Sequence, residues 1–171
     1  MNIHPIFVHF PIALLTIYAV AELIRFEKVK NLAYWFYVKA ILVIIGVLSS
    51  FLALSTGEQA EHLQPNTLEP LIETHATFAN ISTWIFVFLA IVYLISWVNK
   101  STFNNYLLSS KFAKIWNIKV NIANKIMNSY LTIILAFVGL ISITITGALG
   151  GAIVYGPDVD PIVRFVYKLF F

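Results

Sequence analysis

Cysteine is absent from the 171 residues, which removes disulfides, iron–sulfur ligation by this chain and thiol catalysis together. The same absence leaves the redox compartment unread. Charge is scarce as well. Only 11% of the residues are Asp, Glu, Lys or Arg, against roughly 25% in a soluble domain, so water is not the only solvent this chain meets. No Gly-rich phosphate loop, serine nucleophile elbow or His-Glu-x-x-His run is present, which argues against nucleotide chemistry and hydrolysis. The opening Met1-Asn2-Ile3-His4-Pro5 has no basic n-region, and no small-residue cleavage site follows the first apolar stretch. That is not the pattern of a cleaved signal peptide, and the first run is expected to stay as an anchor.

What is there is apolar: 60% of the residues, with a mean hydropathy of +0.85. Four runs, at about 5–23, 32–55, 76–98 and 130–155, each reach the ~20 residues that a span needs. Lipid satisfies no backbone polar group, so the runs are expected to be helices. Charge then orients them. The linkers Arg25 to Lys39 and Lys100 to Lys125 hold nine of the eleven Lys and Arg residues, whereas Glu58, Glu61, Glu69, Glu73, Asp158 and Asp160 fall on the other side with Arg164 and Lys168. Basic loops stay in the cytoplasm. The expectation is an all-α integral membrane four-helix bundle, up-down, with both termini outside and one membrane domain over 1–171. The pI of about 9.1 follows from these loops, not from nucleic-acid binding.

Two shorter segments read as interfacial. Lys111, Lys114 and Lys119 alternate with Phe112, Ile115, Trp116 and Ile118, a cationic helix expected to anchor beside anionic lipid. Asp160-Pro161 makes a helix start, with Asp as cap and Pro at the first position. Ile162, Phe165, Val166, Leu169 and Phe170 then recur at helical spacing, giving an amphipathic helix over about 161–170. Within the spans, Gly46, Ser50, Ala53 and Gly57 form one small-residue stripe, and Gly139, Ile143, Thr146 and Gly150 a second. Such stripes let helix backbones approach in lipid, and they leave room for a flat cofactor without requiring one. The run Gly147 to Gly151 is expected to loosen the end of the fourth span or to stop it.

The four histidines, His4, His9, His62 and His75, all fall on the acidic side. Imidazole is the commonest metal and haem ligand, and it titrates near neutrality. His4 is expected to cap the first helix. His9 lies about one turn inside the first run and Pro11 should bend the helix beyond it. A five-residue separation puts His4 and His9 on different faces. Glu58, Glu61 and His62 share a face if the second helix continues past Gly57, and His75 shares one with Phe78, Ala79 and Ser82. An interfacial histidine is also, often, an ordinary hydrogen-bonded surface residue. Three site chemistries fit: haem b with axial imidazoles from two helices, a zinc, copper or iron ion held by His and Glu, and proton handling.

The opening run His4-Pro5-Ile6-Phe7-Val8-His9-Phe10-Pro11-Ile12-Ala13-Leu14-Leu15 resembles a bacterial family of four-helix membrane proteins classed as a domain of unknown function. Thr56-Gly57-Glu58-Gln59-Ala60-Glu61 is similar to that family's Thr-Gly-Glu-x-Ala-Glu, and Gly150-Gly151-Ala152-Ile153-Val154-Tyr155 to its Gly-Gly-x-Leu-Val-Tyr close. Relatives fused to Rieske-type or cytochrome-like domains imply a redox setting. On that resemblance His4, His9, His62 and His75 are candidate ligands, in a bacterial inner (plasma) membrane with the histidines on the periplasmic or extracellular side. The chain departs from the pattern twice. Gly156-Pro157-Asp158-Val159-Asp160 replaces a His-Gly-Val-Gly-like tail, and His75-Ala76 replaces His-Glu.

The leading expectation is thus a haem b-binding electron-transfer subunit, with His9 and His75 as axial pair and His4 and His62 as a second pair or as supporting partners. It is more a binding or electron-transfer subunit than a stand-alone enzyme, and a redox partner or other subunits of a membrane complex would complete it. One alternative is a non-haem metal-binding or transport accessory protein using His9, His62, His75, Glu58 and Glu61. The other is a cofactor-free structural or assembly subunit.

Overall fold

Every apolar run closes its own backbone hydrogen bonds, as a solvent without donors demands. The computed structural model describes residues 3–24, 26–32, 34–61 and 65–171. Among them are eight α-helices: α1 (His4–Leu23), α2 (Glu27–Lys30), α3 (Trp35–Glu61), α4 (Glu69–Lys100), α5 (Phe103–Ser109), α6 (Ala113–Met127), α7 (Leu131–Tyr155) and α8 (Pro161–Phe170). A 3-10 turn at Asn66–Leu68 leads into α4. Four helices, α1, α3, α4 and α7, are long and apolar enough to cross a membrane, in the places expected. The first and fourth expected runs match α1 and α7 to within a residue at either end, but α3 and α4 reach well past the apolar runs that predicted them. Thr56 to Glu61 and Glu69 to His75 extend those helices with a larger share of polar residues, among them the helix formers Glu58, Gln59, Glu61 and Glu69, and a hydropathy reading does not register such turns.

The four spans close a ring in which α1 packs on α3 and α7, and α4 packs on the same two. Glu22 meets Lys39 and His4 meets Thr56, so the end of α1 lies beside the beginning of α3. Likewise Phe78 and His75 of α4 meet Ser142 and Thr146 of α7. Leu15, Tyr18, Val43, Phe86, Leu89 and Ala136 fill the middle. The glycine stripes are the seats of these side chains. A Cβ at Gly46 would stand 2.5 Å from Leu15 Cδ2, and one at Gly139 2.7 Å from Phe86 Cζ. Close seating is what holds helices together where lipid is as apolar as the core. The expected loosening at Gly147 to Gly151 does not occur. The α7 helix runs unbroken to Tyr155 and ends at Gly156, whose φ of +89° suits a residue without Cβ.

Only about a third of the apolar window of α1, α3 or α7 is buried, and Phe10, Leu48, Trp84 and Phe137 face outward. Such a belt suits lipid and would not suit water. The α6 helix turns Trp116, Val120, Ala123 and Met127 inward, against α4 and α7. At the other end α8 starts as the sequence predicts. Asp160 Oδ1 accepts from the backbone N–H groups of Ile162 and Val163 at 2.8 and 2.9 Å, and Val163 and Val166 bury themselves beside Ala148, Leu149 and Ala152.

Candidate functional site

His4 does not cap α1. Ile3 holds that position without a side-chain bond, and His4 is the first residue of the helix. Its ring turns instead toward α3, with Nδ1 3.1 Å from Thr56 Oγ1. The Thr56 hydroxyl lies 3.0 Å from the carbonyls of both Leu52 and Ala53, to which it donates, so its oxygen accepts from the imidazole N–H. Gly57 makes the approach feasible, since a Cβ there would sit 3.2 Å from His4 Cε1. His75 repeats the arrangement between α4 and α7. Its Nδ1–H donates to the Thr146 carbonyl at 2.9 Å, and a Cβ at Gly150 would lie 3.1 Å from its Cε1. A carbonyl only accepts, so Nδ1 carries the proton and Nε2 the lone pair of the neutral ring. His4 at the start of α1 and His75 near the start of α4 lie at the same end of the bundle. Two helix pairs are therefore fastened at one end of the bundle by the same device.

The other predicted site residues are not part of it. His9 is exposed on the outward side of α1, and its Nδ1 donates to the Pro5 carbonyl one turn back. The structure thus turns His4, not His9, into the bundle at the end where His75 lies, and the five-residue spacing separates the faces of His4 and His9 as expected. Helix α3 does continue past Gly57, but Glu58 and Glu61 are exposed there, as is Glu73 on α4. His62 lies outside the described residues. Among the described residues no three of His, Cys, Asp and Glu are grouped to hold a metal ion. Two imidazoles match the ligand number of an axial haem pair, but the space beside Gly57 and Gly150 is filled by the rings themselves. A groove of about 440 Å³ between α1 and α3 is lined by Ile6, Phe7, Phe10, Ile45 and Leu48 and offers no imidazole.

Sequence reasoning passed over a second polar layer at the opposite end. Glu22 of α1 is only 2% exposed, and its Oε2 accepts from Lys39 Nζ of α3 at 2.8 Å and from the Tyr93 hydroxyl of α4 at 2.6 Å. Tyr93 stands edge-on to Tyr18 at 5.7 Å and stacks on Phe36 at 5.5 Å, while the Lys39 ammonium lies 5.7 Å from its ring centroid. A buried carboxylate needs such partners, because an unpaired charge in an apolar surround is very unfavourable. The available signal was Glu22 itself, an acid directly attached to an otherwise uncharged apolar run. In both α1 and α4 the two polar layers are separated by about five helical turns, roughly 27 Å at 1.5 Å per residue.

The family model described as "Predicted membrane protein (DUF2231)" matches residues 1–160. The chain belongs to this family and is a multi-pass membrane protein. No curated protein and no solved structure gives a significant match.

Proposed function

We propose that this DUF2231 member is a structural or assembly subunit of a membrane complex in the bacterial inner membrane, an up-down bundle with both termini outside. In this reading the interior histidines join helices and carry no cofactor. The observation that supports it best is the duplicated clamp. His4 and His75 each spend Nδ1 on the neighbouring span, and each ring occupies the space its facing glycine leaves. Orientation follows from the concentration of Lys and Arg at the end opposite the histidines.

A second reading keeps haem b for electron transfer. Anchoring Nδ1 on a carbonyl is how a ligating histidine is held with Nε2 toward iron, and His75 has that anchor. The filled glycine seats weigh against it. A zinc, copper or iron site using His and Glu has less support, since Glu58 and Glu61 point away from the bundle.

The test is the dithionite-reduced minus oxidised spectrum of detergent-purified protein made with ample haem, with elemental analysis of the same sample. The expected outcome is no Soret band and no stoichiometric metal, with a lowered Tm in His4→Ala and His75→Ala. A Soret band that disappears in His75→Ala would overturn the proposal in favour of the redox reading, and stoichiometric metal without haem would move it to the metal-binding one.

A further inference from the structure

Among the described residues, the lysines of α5, α6 and their flanks have no acidic partner. Not one Asp or Glu lies between Glu73 and Asp158, a stretch that contains Lys100, Lys111, Lys114, Lys119 and Lys125. The ion pairs found among the described residues join Lys39 to Glu22 and Arg164 to Asp158, so they do nothing to neutralise this group. Lys39, the cation nearest in kind, is already committed to Glu22.

At 100° per residue, α6 has three distinct faces. Trp116, Val120, Ala123 and Met127 form the packed face, and Trp116 Nε1 donates to Asn104 Oδ1 of α5 at 2.7 Å, which joins the two short helices into one platform. Ile115, Ile118 and Ile122 form a second stripe, each more than half exposed. Lys114, Asn117, Asn121, Asn124 and Lys125 form the third, polar and exposed. Lys119 stands between the isoleucine stripe and the packed face, in the corner where the bundle wall meets the lipid. A helix held against a membrane bundle on one side, apolar on the next and polar on the last can lie only at the membrane surface. A long ammonium side chain in that corner extends to phosphate depth while its methylenes stay among acyl chains.

We infer that α5–α6 is a docking surface for anionic phospholipid headgroups, with Lys111, Lys114 and Lys119 as the residues that bind their phosphates. The occupant is argued from charge: a cationic, acid-free platform on a protein already in the bilayer faces headgroups before it meets anything else, and each Lys or Arg near an anionic leaflet adds to the attraction. The inference is independent of the role of the histidines.

The experiment uses the full chain in nanodiscs of phosphatidylcholine alone or of phosphatidylcholine mixed with phosphatidylglycerol, read by amide hydrogen exchange. Peptides covering 103–127 should exchange roughly tenfold more slowly in the anionic discs, a difference that high salt suppresses, while the spans are unchanged. The triple substitution Lys111→Gln, Lys114→Gln, Lys119→Gln should abolish the difference, and the corresponding Arg triple should retain it. Equal exchange in both discs would overturn the inference. Equal protection by inorganic phosphate in phosphatidylcholine discs would also overturn it, by assigning the lysines to a soluble anion.

Discussion

At His75 the imidazole fills the space that a methyl on Gly150 would need, so the two positions are coupled. Gly150→Ala alone should destabilise the protein by about 1 kcal/mol, because the ring must give way. In a His75→Ala background the same change should be neutral or stabilising, since the ring is gone and Ala favours a helix over Gly by about 1 kcal/mol. Thermal unfolding in detergent of the two singles and the double measures the coupling, and strictly additive effects would contradict the geometry. Glu22 permits a parallel argument. Glu22→Ala leaves the Lys39 ammonium and the Tyr93 hydroxyl without their shared acceptor, and a loss of about 3 kcal/mol is expected. Adding Lys39→Met removes the stranded charge, so the double variant should be more stable than Glu22→Ala alone. A double variant no better than the single would show that pairing is not what the layer contributes. Neither Glu22 nor Lys39 drew notice in the sequence. Lys39 read as one more basic linker residue, and Glu22 fell within the last turn of the first apolar run.

The elements themselves were legible to different degrees, and the solvent explains why. Helices α6 and α8 border water on one side, so their apolar and polar faces alternate at helical spacing and could be read directly. The four spans were legible as spans but not as faces. Core and lipid are equally apolar, so no periodic pattern says which side of α1 turns inward. That is why the opening sequence separated His4 from His9 but could not tell which of them turns into the bundle. Small residues carry more of that information. Gly46 and Gly139 lie where a Cβ would be 2.5 Å from Leu15 and 2.7 Å from Phe86, whereas nothing lies within 4 Å of a Cβ at Gly147. Gly46→Ala and Gly139→Ala should each destabilise by about 1–3 kcal/mol, and Gly147→Ala should stabilise by up to about 1 kcal/mol. Unfolding in mixed micelles ranks the three. Similar effects at all of them would mean that the glycines serve backbone flexibility, not packing.

For the molecule as a whole, the absence of cysteine offers a clean test of orientation. A single cysteine at Thr67, beside the histidine end, should react with a membrane-impermeant maleimide in intact cells. One at Ser110, in the α5–α6 linker, should react only after the membrane is opened. The reverse pattern would invert the topology and put the lysine platform outside.

Both polar layers are tied across helices, His4 to Thr56 and His75 to Thr146 at one end, Glu22 to Lys39 and Tyr93 at the other. A single unfastened layer would let spans tilt or slide to suit the surrounding bilayer. Two layers roughly 27 Å apart along the helices, a separation close to a hydrocarbon core of about 30 Å, hold the spans in register at both ends. A bundle tied at both ends meets a change in bilayer thickness as one body, so the response falls to whole-bundle tilt and to the surrounding lipid more than to sliding of single spans.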